Sequence, residues 1–281
     1  MSRYAAMFDR LDRAGEGAFG AFAMLGDPGP AESAAILDAL VEGGADMIEV
    51  GIPFSDPIAD GPVIQAAAGR ALAAGVTSAD CFELLAAFRA RRPDVPVGIL
   101  TYANLVLARG RGAFYRAAAE AGADSVLIAD VPVLEAPPFV AAARAHGIDP
   151  VLIAARNTPT AVLRRVAALG GGYTYCVARA GVTGMRDDLD LHHEEMLDTL
   201  RRSLAPPPVF GFGISKPEHV AAALAAGAAG VISGSAIVSV AAAHRDDPEP
   251  SLRAFVASMK AATRRTAPVS AAHAPGSLPA R

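Results

Sequence analysis

Short apolar runs alternate with amphipathic stretches along nearly the whole chain. The intervening stretches carry apolar residues three and four positions apart, as at Ala34, Leu37, Leu40 and Val41, which indicates helices with one buried face. The alternation predicts repeated βα units and a parallel sheet. Eight apolar runs are candidate strands, at residues 18–25, 46–51, 96–102, 124–130, 150–154, 173–178, 208–213 and 230–234.

A short internal repeat marks the junctions between helices and strands. Segments 43–48, 121–126 and 226–231 each place a glycine at the end of a helix and an apolar run directly after it. Glycine adopts the left-handed conformation that ends a helix at little cost. Because no linker or composition break divides the chain, eight such units fit a closed barrel better than two domains or an open doubly wound sheet. We expect an α/β fold, a single-domain (β/α)8 TIM barrel with extra helices over residues 1–265, followed by a disordered tail at 266–281.

Two segments between predicted strands do not fit the simple alternation of strand and helix. About 45 residues separate the second and third runs, enough for a long loop at 52–62 and two helices divided at 74–77. After the sixth run, segment 179–191 contains glycines and charges and is typical of a mobile loop. In a barrel, the loops that follow strands carry the chemistry.

Composition and charge exclude several classes of function. The chain is 52% hydrophobic and has a net charge of −4, so it has no basic surface for nucleic acid or an anionic membrane. No apolar run approaches the ~18 residues of a membrane span, and the first residues lack a signal-peptide core, so we expect a cytoplasmic protein. Cys81 and Cys176 belong to no metal-binding pattern, and we expect packing roles for both and no metal.

Two carboxylates are candidate catalysts. Glu49 lies near the end of the second run, on the same strand face as Met47 and Gly51. Burial would raise its pKa towards neutrality and suit it to proton transfer, although an internal ion pair is an equally open interpretation. Asp60 lies in the following loop and could converge on the same ligand. Asp56 precedes a proline and is also explained by turn chemistry.

Two glycine-rich segments follow the seventh and eighth runs. Segments 210–215 and 232–236 expose backbone N–H groups, and Ser235 could cap the next helix, whose N-terminus favours an anion. Tight turns would explain either segment alone. Together, and at this place in a barrel, they predict a site for a phosphorylated small molecule.

The remaining inward-facing positions predict an apolar, partly aromatic pocket. Such a pocket would hold a ligand with a flat apolar end and a phosphate end. His192 and His193 lie in a charged segment, and we expect both to be solvated. The inward positions are Leu100, Tyr102, Leu127, Ala129, Ile153, Tyr175, Phe212 and Ile232.

Seven strings in fixed order resemble the tryptophan synthase alpha subunit family. The most specific is EVGIPFSDPIADGPVIQ at residues 49–65, which contains both candidate carboxylates. The match extends over about residues 3–264. The other strings are LGDP at 25–28, YAN at 102–104, ADVP at 129–132, RAGVTG at 179–184, GFGIS at 211–215 and SGSAIV at 233–238.

The resemblance implies a (β/α)8 barrel that cleaves indole-3-glycerol phosphate into indole and glyceraldehyde 3-phosphate, a retro-aldol reaction without metal or organic cofactor. It implies that Glu49 is the acid/base catalyst, that Asp60 accepts a hydrogen bond from the indole N–H, and that Tyr175 lies beside the glutamate. Phe22 joins the pocket residues named above, and the loop around Thr183 resembles a lid. The phosphate-binding positions would be Gly184, Gly213, Gly234 and Ser235.

Family members usually pair with a pyridoxal-phosphate beta subunit in an α2β2 complex, and Asp56, Pro57, Asn104 and Pro132 match the partner-facing surface. Three other functions remain open: a stand-alone lyase that releases free indole, a non-catalytic activator of a beta subunit, and another phosphate-binding barrel such as a sugar-phosphate isomerase. Retention of both carboxylates argues against the activator. The isomerase would need a basic or histidine catalyst at a strand end.

The chain departs from the family pattern at three places. Arg156 brings a charge to the loop after the fifth run, and Ala21 and Met24 replace the more usual proline and threonine of the first run. The tail has no counterpart in the family.

Overall fold

Eight parallel strands form a closed barrel in chain order in a computed structural model, which describes residues 2–177 and 193–264. Each strand pairs with its sequence neighbours, and β1 pairs with β8. The predicted barrel is therefore confirmed, and each predicted run contains or overlaps its strand. The strands are β1 (Ala18–Met24), β2 (Met47–Gly51), β3 (Val97–Thr101), β4 (Ser125–Ile128), β5 (Asp149–Ala155), β6 (Thr174–Val177), β7 (Pro208–Gly211) and β8 (Gly230–Ser233).

Helices surround the barrel and follow nearly every strand. The expected helix pair between β2 and β3 is present as α3 and α4. The described helices are α1 (Arg3–Ala14), α2 (Pro30–Glu42), α3 (Pro62–Ala73), α4 (Ser78–Arg91), α5 (Ala103–Arg109), α6 (Arg111–Glu120), α7 (Pro137–Ala145), α8 (Thr160–Leu169), α9 (Glu194–Arg202), α10 (Pro217–Ala225), α11 (Ser235–Ala243) and α12 (Pro248–Ala261).

The first helix was not predicted and closes one end of the barrel. Its buried residues Tyr4, Met7 and Leu11 belong to the same hydrophobic cluster as the inward side chains of the strands. The Tyr4 ring lies edge-on against Tyr173, with ring centroids 5.4 Å apart. This end of the barrel is therefore filled, and the opposite end, where the strands finish, is left for a site.

Two of the repeated junctions use an aspartate in the same way. Asp46 donates its backbone N–H to the Phe19 carbonyl (2.8 Å), and its Oδ2 accepts the Phe19 N–H (3.0 Å). Asp124 forms the corresponding pair with Val97, at 2.8 Å for each bond. Each carboxylate satisfies an N–H at the start of the preceding strand, a donor that burial would otherwise leave unpaired.

The third junction has no carboxylate and needs none. Ala229 donates to the Pro208 carbonyl at 2.7 Å, and proline has no N–H to satisfy. The predicted glycines before the strands are left-handed at all three junctions, with φ of 105° at Gly44, 84° at Gly122 and 101° at Gly227.

Within the described residues, no single helix combines the length and apolarity of a membrane span. Only α3 and α4 taken as a pair reach that length and composition, and their axes differ by 102°.

Candidate active site

A cavity at the mouth of the barrel, referred to below as the mouth cavity, gathers most of the predicted site. Its walls come from strand interiors and from the loops after β2, β7 and β8, as the barrel topology requires. The lining residues are Phe22, Glu49, Asp60, Ile64, Leu100, Tyr175, Phe212, Gly213, Ile214, Ser215, Ile232, Gly234, Ser235 and Ala236.

Glu49 is buried in the middle of β2, with only 3% of its surface exposed. The Tyr173 hydroxyl donates a hydrogen bond to its Oε1 at 2.8 Å. Burial raises the pKa of Glu49 to about 7, and the nearby charge of Asp60 adds to this, while the Tyr173 hydrogen bond opposes it. No cation among the described residues contributes to this pKa, so the ion-pair alternative finds no support there. Sequence analysis did not select Tyr173.

Asp60 is held at the end of the loop before α3. The Tyr102 hydroxyl donates to its Oδ2 at 2.9 Å, and the Gln65 amide donates to its backbone carbonyl at 2.6 Å. The Tyr102 oxygen also accepts the N–H of Ala59 at 3.2 Å. Burial raises the pKa of Asp60, and the Tyr102 hydrogen bond opposes that rise. Tyr102 therefore fixes both the carboxylate and the backbone beside it.

Aromatic rings form the apolar wall of the mouth cavity. Tyr175 and Phe212 lie edge to face with centroids 5.8 Å apart, and Phe22 packs nearby. Two glycines leave room for these rings, since a Cβ at Gly211 would overlap the Tyr175 hydroxyl and a Cβ at Gly51 would lie 2.8 Å from Phe22. The site is shaped for a flat apolar group.

The candidate phosphate site, Gly213, Gly234 and Ser235, lies at one side of the mouth cavity. Phe212 and Gly213 are consecutive left-handed residues, with φ of 64° and 84°, and they turn the chain sharply out of β7. Ser235 opens α11, whose first-turn N–H groups have no partner within the helix. An anion placed here would meet backbone donors and the positive end of the helix dipole.

The expected role of Ser235 as a helix cap is wrong. The N-cap of α11 is Gly234, and Ser235 is the first helical residue; no side chain caps this helix with a hydrogen bond. A serine before an apolar stretch matches the capping pattern. Strand β8, however, ends at Ser233, one residue before the predicted end at 234, so the helix also begins one residue earlier. The contribution of Ser235 to an anion site would come from its position in the first turn.

Four predicted pocket residues are not lining residues of the mouth cavity. Tyr102 instead donates its hydroxyl to Asp60. Leu127 is 2% exposed within the barrel core. Ala129 and Ile153 line a separate cavity of about 340 Å³ beside α7. This cavity opens where the described pairing of β4 with β5 ends, at Leu127 with Val151. A substrate contact for these residues stays a prediction.

Several other expectations concern the segment after β6. Thr183, Gly184 and His192 lie outside the described residues, as does the tail.

His193 is described and is buried at 2% exposure, so the expectation that it is solvated is wrong. Its Nε2 lies 3.3 Å from the Val177 carbonyl oxygen, and its ring packs against Phe210 at 5.0 Å. His193 is the N-cap residue of α9, whose buried residues belong to the same hydrophobic cluster as Phe210.

The predicted partner-facing positions are accessible at the barrel mouth. Asp56, Asn104 and Pro132 are exposed and Pro57 is half-buried. Three large apolar side chains on the same loops and on α5 were missed because a lone exposed residue leaves no periodic signal. They are Ile58, Leu107 and Leu134, with exposed fractions of 74%, 47% and 60%.

Residues 2–177 and 193–264 contain no group of three His, Cys, Asp or Glu side chains arranged to hold a metal ion.

Comparison with known proteins gives one consistent family. The family model described as tryptophan synthase alpha chain matches residues 8–266. The tryptophan synthase alpha chain of Klebsiella pneumoniae (strain 342) is 55% identical over 269 residues, covering 94% of this chain and 99% of that protein. The alpha chain of Shewanella oneidensis is 55% identical over 265 residues, covering 93% and 95%.

Solved structures agree with the sequence relatives. The tryptophan synthase subunit alpha from Legionella pneumophila str. Paris superposes with a TM-score of 0.84 at 31% identity, covering 94% of this chain and 98% of that one. A chain of the tryptophan synthase a2b2 complex from Pyrococcus furiosus gives 0.80 at 35% identity, covering 87% and 98%. With a family model matched over most of its length and relatives sharing more than half of its residues, the chain belongs to the tryptophan synthase alpha chain family.

Proposed function

We propose that the chain cleaves indole-3-glycerol phosphate into indole and glyceraldehyde 3-phosphate, as a lyase of the tryptophan synthase alpha type. One observation carries this most directly: Glu49 and Asp60 face a single cavity that also holds the backbone donors around Gly234. The substrate has the three matching parts, a flat indole ring, a hydroxyl-bearing linker and a phosphate.

Glu49 would carry out two proton transfers, donating one proton and accepting another. With a pKa of about 7, its carboxyl group can be protonated near neutral pH and can donate that proton to the indole C3. The resulting carboxylate then accepts the proton of the linker hydroxyl. As the carbonyl forms, the carbon–carbon bond breaks and its electron pair restores the aromatic ring. Glu49 ends in the state in which it began.

Asp60 would act on the charge that the first step creates. Protonation at C3 places positive charge on the ring nitrogen, and an ionised carboxylate beside the N–H stabilises it. The Tyr102 hydrogen bond favours the ionised form of Asp60 against the effect of burial. The two carboxyl groups would therefore divide the acid and electrostatic roles between them.

Tyr175 and the apolar wall would orient the ring. Phe22, Leu100, Phe212 and Ile232 line the cavity with Tyr175, and burial of the ring against them would supply binding energy. Gly213, Gly234 and Ser235 would hold the phosphate, with Gly184 and Thr183 as further contacts expected from the family motif.

The indole would pass to a pyridoxal-phosphate beta subunit in an α2β2 complex. The accessible Asp56, Pro57, Asn104 and Pro132 support a docking face at the barrel mouth, and the exposed side chains of Ile58, Leu107 and Leu134 add apolar area to it. We also place the reaction in the cytoplasm, in keeping with the free thiols of Cys81 and Cys176.

The proposal is tested by mixing the purified full chain with indole-3-glycerol phosphate and measuring indole release with and without a beta subunit. We expect release that the partner accelerates and that Glu49→Gln and Asp60→Asn abolish or strongly reduce. Fast release without acceleration would indicate a stand-alone lyase. A folded protein that binds the beta subunit but releases no indole would indicate a non-catalytic activator.

A further inference from the structure

The loop between β7 and α10 is anchored from behind, on the side away from the mouth cavity. Ser233 is fully buried on β8, and its hydroxyl donates to the Ile214 carbonyl at 2.7 Å. Gly213, Ile214 and Ser215 line the cavity on the other side of the same loop. The loop therefore has one face on the ligand space and one face fixed to the barrel wall.

His219 provides the second anchor. It is the third residue of α10, is 7% exposed and does not line the mouth cavity. Its Nδ1 lies 3.3 Å from the backbone nitrogen of Ser215, which donates to it, and 3.0 Å from the carbonyl oxygen of Gly213. The Ser215 hydroxyl is 3.5 Å away. One ring nitrogen thus contacts backbone groups of two residues of the loop, Gly213 and Ser215.

Either tautomer of the ring holds part of this loop. A bare Nδ1 accepts the Ser215 N–H, whereas a protonated Nδ1 donates to the Gly213 carbonyl. An apolar side chain would do neither, so the part-buried backbone group that the imidazole satisfies would lose its partner. Leaving such a group unpaired is costly enough to change the loop conformation.

The orientation of the Gly213 carbonyl has a direct effect on the ligand side. A peptide unit is planar and trans, so its C=O and N–H point in opposite directions. When the Gly213 carbonyl is directed at His219, the N–H of Ile214 in the same peptide unit points away from α10. Among the described residues, the Ile214 N–H makes no backbone hydrogen bond, so it is available to an anion.

We propose that His219 is a positioning residue for phosphate binding: from behind the loop, it orients the peptide units of residues 213–215 so that the N–H of Ile214 faces the phosphate end of the ligand. The inference rests on the proposed function for the identity of the ligand. The contact itself requires only an anion at the candidate phosphate site.

The test compares two substitutions of nearly equal shape. His219→Leu removes the hydrogen-bonding atom, and His219→Asn keeps one close to the position of Nδ1. For His219→Leu we expect a 3- to 10-fold higher Kd for inorganic phosphate and for glycerol 3-phosphate, the range of a net hydrogen bond of about 0.5–1.5 kcal/mol. The KM for indole-3-glycerol phosphate should rise similarly, with kcat within about twofold. His219→Asn should restore the affinities to within about threefold of the original protein, since one hydrogen bond returns.

A matched control is His244→Leu, which makes the same change at the exposed C-terminal end of α11 and should leave phosphate affinity unchanged. Free indole should bind all variants equally. Unchanged phosphate affinity in His219→Leu would overturn the proposal, as would equal weakening of indole and phosphate or failure of His219→Asn to restore binding. If His219→Leu does not fold, His219→Ala takes its place in the comparison.

The direct phosphate titration separates this proposal from the proposed reaction. A chain that binds phosphate through His219 but does not cleave indole-3-glycerol phosphate would refute the reaction and keep the positioning role. If the chain cleaves the substrate and its His219→Leu variant has unchanged kinetics, the reaction would be supported and the positioning role refuted.

Discussion

The Tyr102 hydroxyl donates a 2.9 Å hydrogen bond to Oδ2 of Asp60 and at the same time accepts the N–H of Ala59. A side chain expected to form apolar pocket wall is thus bonded directly to a candidate catalytic carboxylate. Its ring also packs on Phe54, with centroids 5.3 Å apart, so the hydroxyl can be removed while the ring contact stays.

Tyr102→Phe should therefore act on catalysis through Asp60. Loss of a hydrogen bond to a charged group, about 1.5–3 kcal/mol, predicts a fall in kcat/KM of about 10- to 100-fold. The pKa of Asp60 should rise further, because the hydrogen bond now opposes the effect of burial. The acid limb of the kcat/KM profile should then move to higher pH, which steady-state kinetics between pH 5 and 9 would detect. An unchanged limb would show that Asp60 ionisation does not control the rate.

Glu49→Gln should lower kcat by at least about 10³-fold, because two proton transfers worth about 10² to 10⁴ each depend on this group.

The same substitution, Glu49→Gln, should also stabilise the fold at alkaline pH. The folded pKa of about 7 lies above the unfolded value of 4.5, so the native state loses stability as pH rises from about 4.5 to 7 and keeps that penalty above 7. At about 1.4 kcal/mol per pKa unit, the gain at pH 8 should approach about 3 kcal/mol and should vanish near pH 4.5.

Denaturant unfolding of both proteins at pH 5 and pH 8 would check the second effect, and circular dichroism would confirm that Glu49→Gln is folded. A stability difference that is the same at both pH values would contradict the raised pKa. Turnover like that of the original protein would refute the catalytic assignment itself.

Gly234→Asp should weaken phosphate-bearing ligands far more than indole. A Cβ at this position would lie 3.7 Å from Phe22, an ordinary contact, so the substitution introduces charge without a clash. Two like charges about 5 Å apart at an effective dielectric of about 20 repel by roughly 3 kcal/mol, which predicts an affinity loss on the order of 100-fold. Calorimetric titration with glycerol 3-phosphate and indole would measure both, with Gly234→Ala as the uncharged control. Equal losses for the two ligands would place the phosphate elsewhere.

Ile58→Asp should weaken association with a beta subunit and leave the isolated chain intact. Ile58 is 74% exposed beside Asp56 and Pro57, and burial of such a side chain is worth about 1.5–3 kcal/mol, so Kd should rise about 10- to 100-fold. Leu204→Asp is the matched control, since Leu204 is 89% exposed after α9. Sedimentation velocity or calorimetry would compare them. A similar loss from both variants would mean that charge, and not this face, determines association.

The barrel was predictable because each of its signals is local. Strand runs, helical spacing and the left-handed glycines at residues 44, 122 and 227 are all properties of short segments. Helix α1 was missed because it precedes the first strand and breaks the alternation on which the prediction depended. The candidate carboxylates could also be predicted from the sequence. Alternation along β2 places Glu49 inside the barrel, and Asp60 lies in the loop that follows.

The hydrogen-bond partners of those carboxylates could not be predicted in the same way. Tyr173 and Tyr175 are two positions apart, so alternation turns both inward and does not decide which hydroxyl reaches Glu49. Height within the barrel decides it, and height depends on the stagger of β6 against β2. The hydrogen bonds of Tyr102 and His219 likewise join segments whose relative positions only tertiary packing fixes.

At the junction of Ala229 with Pro208, the residue type at one position constrains the residue type at the other. Pro208 presents no N–H at this place and Ala229 supplies no carboxylate, whereas the N–H groups of Phe19 and Val97 are accepted by the aspartates at residues 46 and 124. Exchange of these βα units, between relatives or between halves of this barrel, would therefore have to keep each such pair of positions together. A recombined barrel that separates them would bury either an unpaired N–H or a carboxylate with no backbone donor to receive.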